Sequence, residues 1–223
     1  MNIALFGGTF DPIHSGHLRA ARAAARKYRL ARILFVPSGN PPHKVPDGLT
    51  AFAHRYAMVA LACADDRRFF PSLLEAPRRD GRRHYSIRTV RAVRKTLGPK
   101  DRLYFLIGVD AFLDLPHWHQ YRRLLDLVNF IVVSRPGYSS EEIRKALPRE
   151  LLRPAKLGKL ADTIRLRQTR LRILEGVDVP IASRDIRQAI RAGRRVTGLV
   201  PPLVEQYILK ERLYRPGKPG WTR

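Results

Sequence analysis

The strongest constraint on what this chain can fold into is an alternation. Short β-rich runs, most of them followed closely by Gly or Pro, trade places with longer helix-forming stretches. Ile3-Ala4-Leu5-Phe6 closes at Gly7-Gly8, and Ile33-Leu34-Phe35-Val36 stops at Pro37. Leu103-Tyr104-Phe105-Leu106-Ile107 ends at Gly108, and Phe130-Ile131-Val132-Val133 precedes Arg135-Pro136-Gly137. Apolar runs of this length suit strands buried on both faces, and helices between them suit parallel crossovers. The expected fold is α/β, a doubly wound parallel sheet with helices on both faces.

The helical stretches are read from residue type and spacing. Gly16 to about Leu30 is rich in Ala and Arg, and Thr50 to about Ala64 is also helical. Ser86 is the expected N-cap of a helix whose Ile87, Val90, Val93 and Leu97 share one face, with Gly98 as its stop. Residues 139–147 read as helix, 148–170 as basic and irregular, and a last strand is expected near 171–181. Ser183 is the expected cap of a helix ending at Gly193, and Pro201-Pro202 opens a final helix to about Tyr214. One domain over 1–214 is expected, with a small C-terminal helical part at about 183–214 and a loose tail at 215–223.

With 223 residues, 44% of them apolar, the chain can bury a sizeable core. No apolar run approaches the roughly 20 residues that span a bilayer, and the N-terminus does not read as a signal peptide. Neither a membrane partner nor export is expected. A lone cysteine, Cys63, excludes an internal disulfide or a cysteine metal cluster and suits a reducing cytoplasm. The charge is unusual: 43 basic against 19 acidic residues give +24. Such a field attracts phosphates and nucleic acid. The basic residues, 34 Arg and 9 Lys, are spread along the chain rather than gathered in a stripe, so no specific nucleic-acid partner is expected.

The chemistry concentrates in Gly7-Gly8-Thr9-Phe10-Asp11-Pro12-Ile13-His14-Ser15-Gly16-His17. This segment follows a buried strand and leads into a helix, the place where doubly wound sheets bind ligands. Gly7 and Gly8 let a triphosphate approach the backbone, Thr9 adds a hydroxyl, and the helix N-terminus favours an anion. His14 and His17, three apart, lie on one helix face and can donate to phosphate oxygens as charge builds. A bare His-x-x-His is more often chance or a metal pair; here the strand, the glycines and the hydroxyl favour phosphate chemistry.

This segment resembles the signature of the His/Thr-x-Gly-His nucleotidyltransferases, and its Gly-Gly-Thr-Phe-Asp-Pro-Ile-His form resembles bacterial nicotinate-nucleotide adenylyltransferases. Further matches run in order over about 1–214. They are Pro37 with Pro41-Pro42-His43-Lys44, Tyr85-Ser86-Ile87-Arg88-Thr89, Gly108-Val109-Asp110, Trp118, Ser134-Arg135-Pro136-Gly137, and Ile181-Ala182-Ser183-Arg184-Asp185-Ile186-Arg187.

The resemblance implies a Rossmann-like fold and transfer of the adenylyl group of ATP to nicotinate mononucleotide, giving deamido-NAD and pyrophosphate in NAD biosynthesis. It implies direct attack, with His14 and His17 as catalytic residues. ATP would be bound by Gly7, Gly8, Thr9, Phe10, Gly108, Asp110, Ser183 and Arg187. Lys44, Tyr85, Ser86, Trp118 and Arg135 would bind the mononucleotide, the backbone near Tyr85 and Ser86 receiving the ring carboxylate and Trp118 stacking on the pyridinium. Taken alone, Trp118 reads first as a core or rim aromatic, and Asp110 reads nearly as well as a helix cap. Mg²⁺ is expected with ATP, held by its phosphates and water, and no residue is named as a metal ligand. Two segments depart from the family pattern. Ala182 and Arg184 stand where it has hydroxyl residues, and His84-Tyr85-Ser86 replaces Ser-Tyr-Thr. The alternatives are an acceptor such as nicotinamide mononucleotide or phosphopantetheine, or a basic nucleic-acid-binding module.

Overall fold

The structure is a computed structural model, and it describes residues 1–39, 48–78, 80–81, 83–135, 137–153, 162–177 and 180–215. Seven strands form one sheet: β1 (Asn2–Gly8), β2 (Arg32–Pro37), β3 (Phe69–Pro71), β4 (Arg102–Gly108), β5 (Asn129–Val133), β6 (Thr163–Arg165) and β7 (Arg170–Leu174). Their order across the sheet is β3-β2-β1-β4-β5-β7-β6, with every pair parallel except β6 on β7. The described helices are α1 (Ser15–Tyr28), α2 (Phe52–Cys63), α3 (Ser86–Arg94), α4 (Val109–Leu113), α5 (Tyr121–Leu127), α6 (Ser140–Lys145), α7 (Ser183–Arg191) and α8 (Pro202–Lys210).

Alternate residues of each central strand feed two separate cores, because successive side chains of a strand point to opposite faces. Ala4 and Phe6 of β1 join Tyr104 and Leu106 of β4 in a core with α1, α2, α7 and α8. Ile3, Leu5, Leu103, Phe105 and Ile107 lie in the other, with α3, α4, α5 and α6. The sheet is therefore covered on both faces, as the unbroken apolar runs imply. The chain winds outward from β1 through β2 to β3, then crosses back to put β4 on the other side of β1. That reversal opens a crevice at the carboxyl ends of β1 and β4. Registers of Gly8 with Pro37 and Gly108 with Val133 bring four strand ends to one edge.

Several local expectations are corrected. Gly7 and Gly8 end β1 as paired residues rather than closing it from outside. Ser86 and Ser183 are first helical residues, with Tyr85 and Ala182 in the N-cap positions and no side-chain cap bond. The Ser183 hydroxyl is already engaged, donating to the Pro12 carbonyl at 2.9 Å. Helix α3 stops at Arg94, short of Gly98, where the Thr96 hydroxyl bonds back to the Val93 carbonyl. Strand β7 ends at Leu174 and does not reach 181, since Gly176 turns the chain at φ 75°. Helix α8 ends at Lys210, with Arg212 and Tyr214 in left-handed conformations beyond it. Strands β3 and β6 were not expected.

Candidate active site

A cavity of about 510 Å³ opens at the strand-end edge. The end of β1, the loop after it and the start of α1 contribute Gly7, Gly8, Thr9, Phe10, His14, Gly16 and His17 to the lining. Phe10 is 1% exposed and adopts φ 50°, a conformation that non-glycine residues hold only when their surroundings impose it. Its ring packs against Phe6, Phe35 and His17. A side chain at Gly8 would press on that ring, since its Cβ would lie 3.1 Å away. Glycine at this position thus serves loop packing as well as any ligand's approach.

His14 is the N-cap residue of α1, in extended conformation, and His17 lies one turn on. The rings stack, with centroids 3.7 Å apart and 27° between planes. The backbone N–H of His14 donates to Nδ1 of His17 at 3.2 Å. A neutral His17 accepting there carries its proton on Nε2 and is a donor at that atom. Burial, and secondarily the Arg135 guanidinium, lower the His14 imidazole to about 4. Burial, then His14 and Arg135, hold His17 well below its usual value. Among the described residues, Nδ1 of His14 is buried without a hydrogen-bond partner.

Gly108, Asp110 and Arg135 line the next stretch of wall. Arg135 Nη1 lies 3.1 Å from one Asp110 carboxylate oxygen, and the Tyr138 hydroxyl donates to the other at 2.9 Å. Asp110 is thus held between two side chains. Opposite, Tyr85, Ser86 and Trp118 share the wall with Phe105 and His119. Trp118 meets Phe105 edge-on, its indole N–H donating to Asp114 at 3.3 Å, and Tyr85 packs against the His119 ring at 4.3 Å.

Of the residues singled out in the sequence, twelve line this one cavity: Gly7, Gly8, Thr9, Phe10, His14, His17, Tyr85, Ser86, Gly108, Asp110, Trp118 and Arg135. Ser183 and Arg187 do not line it; they hold the loop after β1, donating to the carbonyls of Pro12 and Asp11 at 2.9 and 2.7 Å. Lys44 lies outside the described residues. Sequence reasoning missed Ser38, Glu75 and His119, and quoted His84 and Thr89 only within matched segments, without a site role. Glu75 is 9% exposed, accepts from the Thr89 hydroxyl at 2.7 Å, and burial raises its carboxyl above the usual range. One signal was available for it, an acid set in an apolar segment, Leu73-Leu74-Glu75-Ala76-Pro77. Gly39 permits this placement, since a Cβ there would collide with the Glu75 carbonyl. Among the described residues no three His, Cys, Asp or Glu side chains converge on a metal position. The cavity's donors include imidazole, hydroxyl, backbone and the Arg135 guanidinium, which suit phosphate oxygens.

Residues 5–189 match the cytidylyltransferase-like family model. A probable nicotinate-nucleotide adenylyltransferase of Solibacter usitatus is 41% identical over 214 residues, covering 96% of this chain and all of the relative. A second, from Geotalea daltonii, is 37% identical over 228 residues, covering 98% and 100%. The fold is similar to that of the Plasmodium falciparum nicotinic acid mononucleotide adenylyltransferase complexed with NaAD. That likeness has a TM-score of 0.70 at 20% identity and covers 96% of this chain and 97% of the other. The chain belongs to the cytidylyltransferase-like family and, within it, to the group of relatives named nicotinate-nucleotide adenylyltransferase.

Proposed function

We propose that this chain, as one nucleotidyltransferase domain over 1–214, transfers the adenylyl group of ATP to nicotinate mononucleotide in the cytoplasm, giving deamido-NAD and pyrophosphate in NAD biosynthesis. The mononucleotide's phosphate oxygen bonds to the α-phosphorus of ATP, and the bond from that phosphorus to the bridging oxygen of pyrophosphate breaks. Magnesium enters with ATP as part of the substrate, held by the phosphates and water.

The observation that carries this reading is the pair of stacked, uncharged imidazoles in the cavity at the ends of β1 and β4. Neutral rings already in place need no reorganisation as charge grows on the phosphate oxygens. His17 offers an arriving phosphate a donor at Nε2, and the His14 ring stacked on it lines the same cavity. The backbone of Gly7 to Phe10, with Gly108 and Asp110, would hold ATP, while Ser183 and Arg187 would act on it through the Pro12 and Asp11 carbonyls that they bind. Tyr85, Ser86, Trp118, Arg135 and Lys44 would hold the mononucleotide.

The test is pyrophosphate release by purified protein with MgATP and either nicotinate or nicotinamide mononucleotide. Release that is faster at low concentration of the acid supports the assignment. Silence with both removes it, and preference for the amide moves it to the other acceptor.

A further inference from the structure

We propose that Arg55, Asp11 and Tyr214 form a clamp on the loop from Thr9 to His14, so that Arg55 and Tyr214 are positioning residues for the transfer although neither lines the cavity. The inference rests on the proposed function, which places that loop beside the reacting phosphates.

Arg55, on α2, is 1% exposed, and a buried guanidinium is costly unless its donors are used. It donates from Nη1 to the Thr9 carbonyl and from Nε to the Thr50 carbonyl, both at 2.8 Å. Asp11, 2% exposed, is gripped from three sides. One carboxylate oxygen accepts from the Tyr214 hydroxyl at 2.7 Å and the other from the Thr50 N–H at 3.3 Å. Its carbonyl accepts from Arg187. Burial pushes the Tyr214 phenol far up, so it stays a donor. Burial draws Arg55 below its ordinary value, and the Asp11 carboxylate opposes that.

These bonds bracket Phe10, the residue held at φ 50°. The Tyr214–Asp11 bond spans 203 residues of sequence, joining the segment after α8 to the loop after β1. Two of the network's bonds, from Arg55 and Arg187, end on main-chain carbonyls of the loop that leads to His14. A buried network that stops on main-chain carbonyls fixes where a loop lies, and small displacements at a reacting centre are expensive in rate.

The experiment uses the full chain and the variants Tyr214→Phe, Arg55→Lys and Arg55→Met. It measures kcat and KM for both substrates, thermal melting, and NMR of ¹⁵N-labelled histidine. Tyr214→Phe is expected to stay folded and to lose about tenfold in kcat, with both KM values within about twofold. Its His17 signals should move from the pure Nε2–H tautomer toward a mixture. Arg55→Met is expected to lose about a hundredfold in kcat, part of it restored in Arg55→Lys. If Arg55→Met fails to fold, Tyr214→Phe decides. Wild-type kcat and unmoved imidazole signals in Tyr214→Phe overturn the clamp. A wild-type protein that releases no pyrophosphate overturns the functional reading instead, and the imidazole signals still test the clamp.

Discussion

His14 and His17 stack face to face, and the backbone N–H of the first fixes the ring of the second through Nδ1. The relationship predicts what His17→Ala does. The variant should lose about 100- to 1,000-fold in kcat, the range for a removed transition-state donor. It should also lose stability. The His17 ring meets Phe6 and Phe10 at 5.9 and 5.0 Å, and losing those contacts costs about 1–2 kcal/mol, or several degrees in Tm. Near-wild-type turnover by a folded variant would remove His17 from the mechanism.

The same pair makes the protein acid-sensitive. Burial first, and then the neighbouring positive groups, hold both imidazoles below the value near 6.5 of an unfolded chain, His14 at about 4. Between those values the unfolded chain binds protons that the folded chain refuses, so stability falls as pH drops. His14 alone accounts for about 3 kcal/mol across the window. Urea unfolding at pH 7.5, 6 and 5 measures the loss. The slope should flatten when both histidines are replaced by Gln, and an equal slope in that double variant would refute the attribution.

Much of this site was legible because its parts are local. A glycine pair after a buried strand and two histidines one helical turn apart carry their geometry in their spacing, and the structure stacks the two rings. What stayed hidden depends on tertiary placement. Arg55 is one arginine among 34, and nothing beside it marks it as buried. Glu75 and Thr89 meet across 14 residues, with Gly39 making room from a third segment. Strand β3 is three residues, Phe69-Phe70-Pro71, too short to show a period, and β6 sits inside a basic tract. Ser86 and Ser183 fit the residue preference for caps, yet each stands one position inside its helix.

Trp118 separates ring binding from ATP binding. Its half-buried indole is braced by Phe105 and by Asp114, which leaves it rigid at the wall shared with Tyr85 and Ser86. Stacking on a cationic pyridinium is worth up to about 2 kcal/mol when desolvated. Trp118→Leu should raise KM for nicotinate mononucleotide about tenfold and leave KM for ATP within about twofold. The amide should suffer the same factor, because both substrates carry the pyridinium. A rise in KM for ATP alone would move Trp118 to the other half of the cavity.

Glu75 supplies a prediction of opposite sign in pH. Its carboxyl is raised by burial, the Thr89 hydroxyl only partly offsetting this, so the folded chain holds a proton that the unfolded chain has released. That contribution is complete below the ordinary carboxylate value and is lost as pH climbs through the raised one. Glu75→Gln keeps an acceptor for Thr89 and cannot ionise. The variant should gain on the wild type at pH 8 and lose that advantage at pH 4, as read from urea midpoints. Above the raised value the carboxyl is ionised, so at pH 8 the same change removes a negative charge from the cavity wall and should lower KM for the acid mononucleotide more than for the amide. A variant less stable than wild type at pH 8, with KM for the acid unchanged, would mean that Glu75 is held ionised by groups other than Thr89.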